Sequence, residues 1–161
     1  MGSYHTSGIS KLRRVLLAYS LHNPEIEYCQ VRTSMASSKF RKGKLLLSQG
    51  FNRIAAIALL FLNEEDAFWL MVYIIDVVMP PTYYAKQLVG AQIDQAVFKE
   101  LVAEKLPVLS EHFNTHGVDP SLFSLNWFLC LFVDTLPVNT YLHIWDAFLF
   151  EGSKVLRNKA M

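Results

Sequence analysis

The chain has 161 residues, a length typical of one domain that buries about 70% of its unfolded surface. It is 52% hydrophobic and 18% charged, so it has material for a large core and little for a charged surface. A net charge of +1 argues against a general nucleic-acid binder, and two cysteines give neither a disulfide framework nor a metal-binding spacing, which favours a reducing cytoplasm.

The first half of the chain carries apolar residues at helical spacing. The pattern predicts an amphipathic helix over Ile9–Leu21, which a following proline ends, and an almost wholly apolar, buried helix over Gly50–Leu62. A third helix is predicted over Asn63–Met79, with the asparagine as its cap and three acidic residues in its first turn. The apolar runs are shorter than the about 20 residues of a membrane span, so we expect buried helices.

The second half of the chain is predicted to be helical as well. Thr82–Leu88 is a short helix or a turn, and Ile93–His112 is a helix that Pro107 kinks or restarts. Ser121–Leu136 follows an aspartate–proline start signal, and Val138–Phe150 forms the last predicted helix. Strand alternation longer than four residues is absent, so we predict an all-α fold, an irregular multi-helix bundle.

Two pairs of residues place polar groups inside apolar helices. Asn126 precedes Trp127, and Trp145 precedes Asp146. An unpartnered buried amide costs about 1–3 kcal/mol, so Asn126 is expected to find a hydrogen-bond partner. Trp145 is expected to pack in the core and Asp146 to bond something local. The structural role is favoured over a catalytic one at both pairs.

Other candidate chemistry has simpler explanations. Cys29 could form a nucleophile pair with a histidine, but the five histidines are scattered, which favours a small buried cysteine. The acidic run Glu64–Asp66 could bind a cation, although the helix dipole alone explains acids at a helix start. The sequence has no glycine-rich phosphate loop, and we predict no cofactor.

One family resemblance runs through nearly the whole chain outside a central interruption. Tyr28-Cys29-Gln30 and Gly50-Phe51-Asn52 would read YCQGFN if the residues between them were removed. Longer phrases follow in the same order, among them EEDAFWLMVYIIDVVMPPTYY, NWFLCLFVDTLP and IWDAFLFEG. Together these phrases resemble the TBC domain, the GTPase-activating domain that acts on Rab GTPases, and in particular its TBC1D2-like branch.

The resemblance implies a fold and a mechanism. Residues 1–161 would form a partial, all-α TBC domain that accelerates GTP hydrolysis by a Rab GTPase in its GTP-bound form, without being a hydrolase itself. In the family a glutamine finger orients the attacking water and an arginine finger stabilises transition-state charge. The glutamine matches Gln30 or equally Gln49, and the other residues of the matching motifs are Tyr28, Cys29, Gly50, Asn52, Asn126, Trp127, Trp145 and Asp146.

The arginine finger has no match. The family motif lies upstream of the GISKLRR phrase, where this sequence is too short to contain it, and Arg13, Arg14 and Arg53 do not lie in such a motif. We therefore expect weak activation or none from this polypeptide. The alternative is a catalytically inactive TBC-like module that binds or scaffolds. The sequence also stops before further family helices, from which we expect exposed hydrophobic patches and poor solubility.

Val31–Gln49 interrupts the family pattern. It is basic, contains serines and has no clear period, so we expect a mobile loop. Its first codons can be written as a splice donor and its last as a splice acceptor, which suggests a retained in-frame intron. A regulatory loop that binds a partner or an acidic membrane is the alternative. We predict a cytoplasmic protein without a transmembrane segment, and peripheral association with endomembranes stays open.

Overall fold

A computed structural model describes residues 3–24, 41–85, 87–133 and 135–159, with side chains for all of these except 3–7, 41–49 and 157–159. The described residues form helices joined by turns and contain no strand, so the predicted all-α fold is confirmed. The elements in chain order are α1 Ser3–His22, α2 Arg41–Phe61, α3 Glu64–Val72, a π-helical segment Tyr73–Val78, α4 Val89–Lys105, α5 Pro107–Thr115, α6 Ser121–Leu129, α7 Val138–Glu151 and α8 Lys154–Lys159.

Helix α2 begins earlier than the sequence pattern predicts. It includes residues 41–49, so the loop expected over the end of the interruption is wrong for that part. Lysine, arginine, leucine and glutamine dominate these residues and proline is absent, a composition that favours helix once a buried helix follows. Residues 31–40 lie outside the described residues.

Helix α3 begins where its cap predicts. The Asn63 carboxamide oxygen accepts the Asp66 amide hydrogen bond at 3.0 Å. The predicted helix continues toward Met79 but changes to π winding after Val72, and the Met79 amide donates to the Ile74 carbonyl at 3.0 Å. In this segment the Asp76 carboxylate accepts hydrogen bonds from the Tyr19 hydroxyl at 2.9 Å and from the Asn23 side-chain nitrogen Nδ2 at 3.1 Å. These bonds fix the end of α1.

Proline divides the next predicted helix as expected. Helix α4 ends at Lys105, and α5 restarts at Pro107. The region of the predicted turn, Thr82–Leu88, contains turns and bends among its described residues. The chain enters α4 through Leu88, which has a left-handed backbone with φ of 53°.

Helix α6 is shorter than the sequence pattern predicts. It ends at Leu129, because Leu131 and Phe132 adopt left-handed φ values of 51° and 63°. Left-handed backbone costs about 1–2 kcal/mol per ordinary residue. The turn buries both side chains completely or nearly so, and the Leu131 carbonyl accepts the Trp145 indole hydrogen bond at 3.0 Å. Burial and this bond offset the strain, which an apolar pattern alone does not reveal.

The core lies between α2, α6 and the helices around them. Phe51 on α2 packs between Tyr19 and Tyr84, with ring centroids 5.7 and 5.1 Å away. Trp145 is buried as predicted. Large apolar side chains are also exposed, as expected, with Phe150 at 92%. Within the described residues, none of the helices has the length and hydropathy that crossing a membrane requires.

Gly50 lets α2 contact the end of α6. A Cβ atom at this position would lie 2.6 Å from the Leu129 carbonyl oxygen, closer than real contacts allow. Gly8 lies in α1 and has no heavy atom within 4 Å of the corresponding position. The two glycines therefore form a matched pair in which only one is required for packing.

We expect Gly50→Ala to lower the free energy of unfolding by about 1–3 kcal/mol, because the methyl group overlaps backbone that cannot move without disturbing α6. Gly8→Ala should instead raise it by about 0.5–1 kcal/mol, since alanine is the better helix residue. Urea denaturation of both variants measures the two effects. Equal changes would show that the α2–α6 contact is looser than described.

Asp119 forms the start signal of α6. One carboxylate oxygen accepts hydrogen bonds from the Ser121 amide at 2.9 Å and the Ser121 hydroxyl at 2.7 Å, while Lys99 lies 3.3 Å from the other. The hydroxyl bond contributes most, followed by the amide bond and then Lys99, and together they lower the pKa of Asp119 to about 2. Its contribution to stability is present above the ordinary pKa of 3.8 and is lost as the pH falls toward 2.

Ser121→Ala should raise the Asp119 pKa toward its ordinary value, though not all the way, because the backbone amide bond remains. Lys99→Ala should raise it less. Carboxyl NMR signals followed between about pH 5 and 1.5 report both shifts. A larger effect of Lys99→Ala would show that charge, and not the hydroxyl bond, controls this cap.

Candidate functional site

The residues predicted for the site fall on three helices. Gly50 and Asn52 lie on α2, Asn126 and Trp127 on α6, and Trp145 and Asp146 on α7. The backbone of Gln49 lies in α2, next to Gly50, and its side chain is not among those described. Tyr28, Cys29 and Gln30 lie outside the described residues.

Helices α2 and α6 meet in what we call the α2–α6 junction, made of Gly50, Arg53, Asn126, Leu129 and Cys130. Gly50 contacts the Leu129 carbonyl. One Arg53 guanidinium nitrogen donates to the Asn126 carboxamide oxygen at 3.2 Å and to the Cys130 sulfur at 3.1 Å. The Cys130 thiol lies 3.3 Å from the same Asn126 oxygen. The backbone contact and the polar contacts therefore join the same two helices.

The partner expected for Asn126 is Arg53. The guanidinium and the carboxamide are half-buried and the thiol is buried, so these mutual contacts help to replace the water that each group loses. Arg53 is not among the site residues predicted from the sequence, because it lies outside an arginine-finger motif. Its position four residues after Gln49, on the same face of a helix, is the signal that could have linked it to the site.

Tyr84 supports the junction from the core side. Its hydroxyl donates to the Leu129 carbonyl at 3.4 Å. Burial, and then the nearby Cys130 thiol, raise the pKa of Tyr84 well above its ordinary value, so the hydroxyl stays protonated and remains a donor. Leu129 therefore has backbone contacts to Gly50 and to Tyr84.

The tryptophans have structural positions. Trp127 stacks near Phe123, with centroids 4.7 Å apart, and near Phe98 at 6.0 Å. Trp145 is buried and donates its indole hydrogen bond to Leu131. Asp146 is exposed, and no hydrogen bond joins its carboxylate to another of the described residues, so the local partner expected for it is not found there.

The end of α1 is held separately from the junction. Asp76 binds Tyr19 and Asn23, and His22 Nε2 lies 3.5 Å from its second oxygen. Burial and the hydrogen bond to Asp76 raise the pKa of Tyr19, which keeps its hydroxyl protonated as a donor. The chain therefore enters the segment that contains Tyr28–Gln30 from a fixed point.

Three arginines have described side chains; Arg13 is exposed, and the other two, Arg14 and Arg53, are engaged. Arg14 forms a two-pronged pair with Glu64, at 2.7 and 2.8 Å, and Arg53 binds Asn126. Across the described side chains, no group of three histidine, cysteine or acidic residues is placed to hold a metal ion. These contacts therefore have a positioning role: they orient α2 at Gly50, where its buried part begins.

Comparisons with known proteins identify the family. The family model described as Rab-GTPase-TBC domain matches residues 40–160. TBC1 domain family member 2B of Xenopus tropicalis is 49% identical over 151 residues, and TBC1 domain family member 2A of Homo sapiens is 47% identical over 152. Each match covers 94% of this chain and 14% of the relative, so the chain spans a small part of these proteins.

A solved structure agrees with these matches. The crystal structure of the Chlamydomonas flagellar RabGAP TBC domain is 31% identical, with a TM-score of 0.74, and the match covers 94% of this chain and 44% of that one. The predicted partial TBC fold is thus confirmed. The chain belongs to the Rab-GTPase-TBC domain family, in the branch that contains TBC1 domain family members 2A and 2B.

Proposed function

We propose that this chain is a GTPase-activating domain for Rab-family GTPases and that Gln49 is its glutamine finger. Family membership supports the class of partner. The single observation that supports Gln49 is its position in the backbone of α2, directly before the glycine that contacts Leu129. Gln30 remains the competing assignment.

The proposed reaction occurs on the partner. Water attacks the terminal phosphorus of GTP, the bond from that phosphorus to the bridging oxygen breaks, and GDP and phosphate leave. A carboxamide can accept a hydrogen bond from the water and donate one toward the phosphate, which orients the water for in-line attack. Such positioning is sensitive to geometry, since a displacement of about 1 Å can cost about 100-fold in rate.

The α2–α6 junction would supply that geometry. Gly50 holds the helix against α6, and Arg53, one helical turn after Gln49, ties the same face to Asn126. Because a helix moves as a unit over one turn, these contacts would set the backbone position of residue 49. Arg53 is thus a positioning residue in this proposal, and its pairing with Asn126 gives it a role other than that of an arginine finger.

We propose that the chain carries an insert relative to the family. It comprises residues 31–49 if Gln30 is the family glutamine and residues 30–48 if Gln49 is, because removing either segment leaves YCQGFN. An intron origin of 31–49 would favour Gln30.

The last residues of the insert extend α2, so the insert would lengthen the helix that carries Gln49 and move Tyr28-Cys29 away from Gly50 along the chain. Genomic sequence and transcript reads across both edges test the intron origin. Edges without GT and AG would exclude it.

We propose that the partner is a Rab GTPase in its GTP-bound form and that contact takes place at a cytoplasmic membrane surface. The family membership supports this assignment. A partner on the membrane would bring the domain to an endomembrane without a spanning helix of its own.

The test is single-turnover GTP hydrolysis by a panel of Rab proteins, with and without saturating chain. We expect acceleration of at least one Rab, limited by the lack of an arginine-motif residue, because such a residue is worth about 10³–10⁵ in rate. Gln49→Ala should lower the added rate by about 100-fold. Gln30→Ala is the matched control and should leave it unchanged.

Binding of each variant to the same Rab, loaded with a GTP analogue that is not hydrolysed, separates affinity from rate. Loss of acceleration in Gln30→Ala alone would transfer the role to Gln30. Acceleration that survives both substitutions would exclude a glutamine finger. Binding without acceleration by the unaltered chain would support the scaffolding alternative.

A further inference from the structure

Two histidines that look scattered in the sequence meet at the end of α5. The imidazole rings of His112 and His116 pack edge to face, with centroids 4.4 Å apart. Both residues are exposed. They are four positions apart, the spacing that places two side chains on one face of a helix, one turn apart.

The backbone beneath the two rings is well defined. The His116 amide donates to the His112 carbonyl at 3.1 Å, which continues the helical spacing to the second histidine. Gly117 then adopts a left-handed φ of 63°, its amide donates to Asn114 at 3.2 Å, and the Val118 amide donates to Phe113 at 2.9 Å. These two bonds form a Schellman cap, so the turn that carries both rings is closed.

We propose that His112 and His116 supply two ligands to a divalent transition-metal ion such as Ni²⁺ or Zn²⁺. Two imidazoles at this helical spacing are the metal-binding unit of the HExxH motif, and imidazole nitrogen suits these ions. The site also lies at the C-terminal end of a helix, where the dipole favours positive charge. This inference does not depend on the proposed function.

The proposed site holds an ion but lacks the general base that hydrolysis requires. The general base of the HExxH motif is a glutamate after the first histidine, and Phe113 occupies that position here. Phe113 packs toward Phe123, with centroids 6.0 Å apart, and so faces the protein. The two histidines leave coordination positions for water or for donors from another molecule.

Binding should stabilise α5. This helix has no buried residue and is held chiefly against α4. An ion that joins its last turn binds the helical form and not the unfolded one, so it shifts the equilibrium toward the folded helix. The site is therefore a metal clip on a weakly packed helix.

Calorimetric titration of the whole chain with Ni²⁺ and with Zn²⁺, at a pH well above the ordinary imidazole pKa of about 6.5, tests the proposal. We expect one ion per chain and a rise in the thermal midpoint. His112→Gln and His116→Gln should each lower the affinity by at least about tenfold and abolish the rise. His143→Gln, on an exposed position of α7, is the matched control and should change neither.

Paramagnetic Ni²⁺ locates the ion independently of affinity. Amide signals around 112–118 should broaden in the unaltered chain and in His143→Gln, and should stay sharp in the other two variants. Absence of binding, equal binding by all variants, or broadening centred on another histidine would overturn the proposal. Circular dichroism confirms that each variant is folded.

Discussion

The close approach of two backbones at Gly50 is the constraint on which the rest of this domain depends. Any larger residue would push α2 away from the Leu129 carbonyl, which lies 2.6 Å from where a Cβ would be. With that contact made, Phe51 enters the core between Tyr19 and Tyr84. Tyr84 in turn hydrogen bonds to the same Leu129 carbonyl. One small residue thus sets the position of a helix, an aromatic cluster and a buried hydroxyl.

Polar contacts at the junction give the packing a direction as well as a distance. Apolar side chains allow a helix to rotate or slide with modest cost, because dispersion contacts are not directional. The hydrogen bonds from Arg53 to Asn126 and Cys130 are directional, and breaking one would remove a partner from a partly or fully buried polar group. For a domain whose proposed chemistry is the placement of one carboxamide, this loss of rotational freedom matters more than added stability.

Local signals in the sequence were sufficient where the physics is local. The Asn63 cap, the break at Pro107 and the aspartate start of α6 each depend on residues within a few positions, and the structure has all three. The predicted end of α6 was wrong because Leu131 and Phe132 adopt left-handed backbone, whose cost is offset by burial of both side chains in the core. The indole of Trp145, 14 residues after Leu131, also stabilises this turn through a hydrogen bond. The pairing of Arg53 with Asn126 spans 73 residues and likewise has no local signature. The family was recognised because its phrases keep their order, and the candidate glutamine was left open because both choices precede the same glycine.

The two candidate glutamines differ in how their directions would be fixed. Gln49 is joined to Gly50 by one peptide bond within a helix, so the junction determines its backbone orientation. Gln30 follows the end of α1, which Asp76 holds through Tyr19 and Asn23, and residues 31–40 separate it from α2. Loop-closure entropy rises slowly with length, so the fold can accommodate such a separation. The contacts of α2 would then constrain the position of Gln30 less directly than that of Gln49. The proposal of Gln49 as the finger therefore rests on its direct connection, within α2, to the glycine that contacts Leu129.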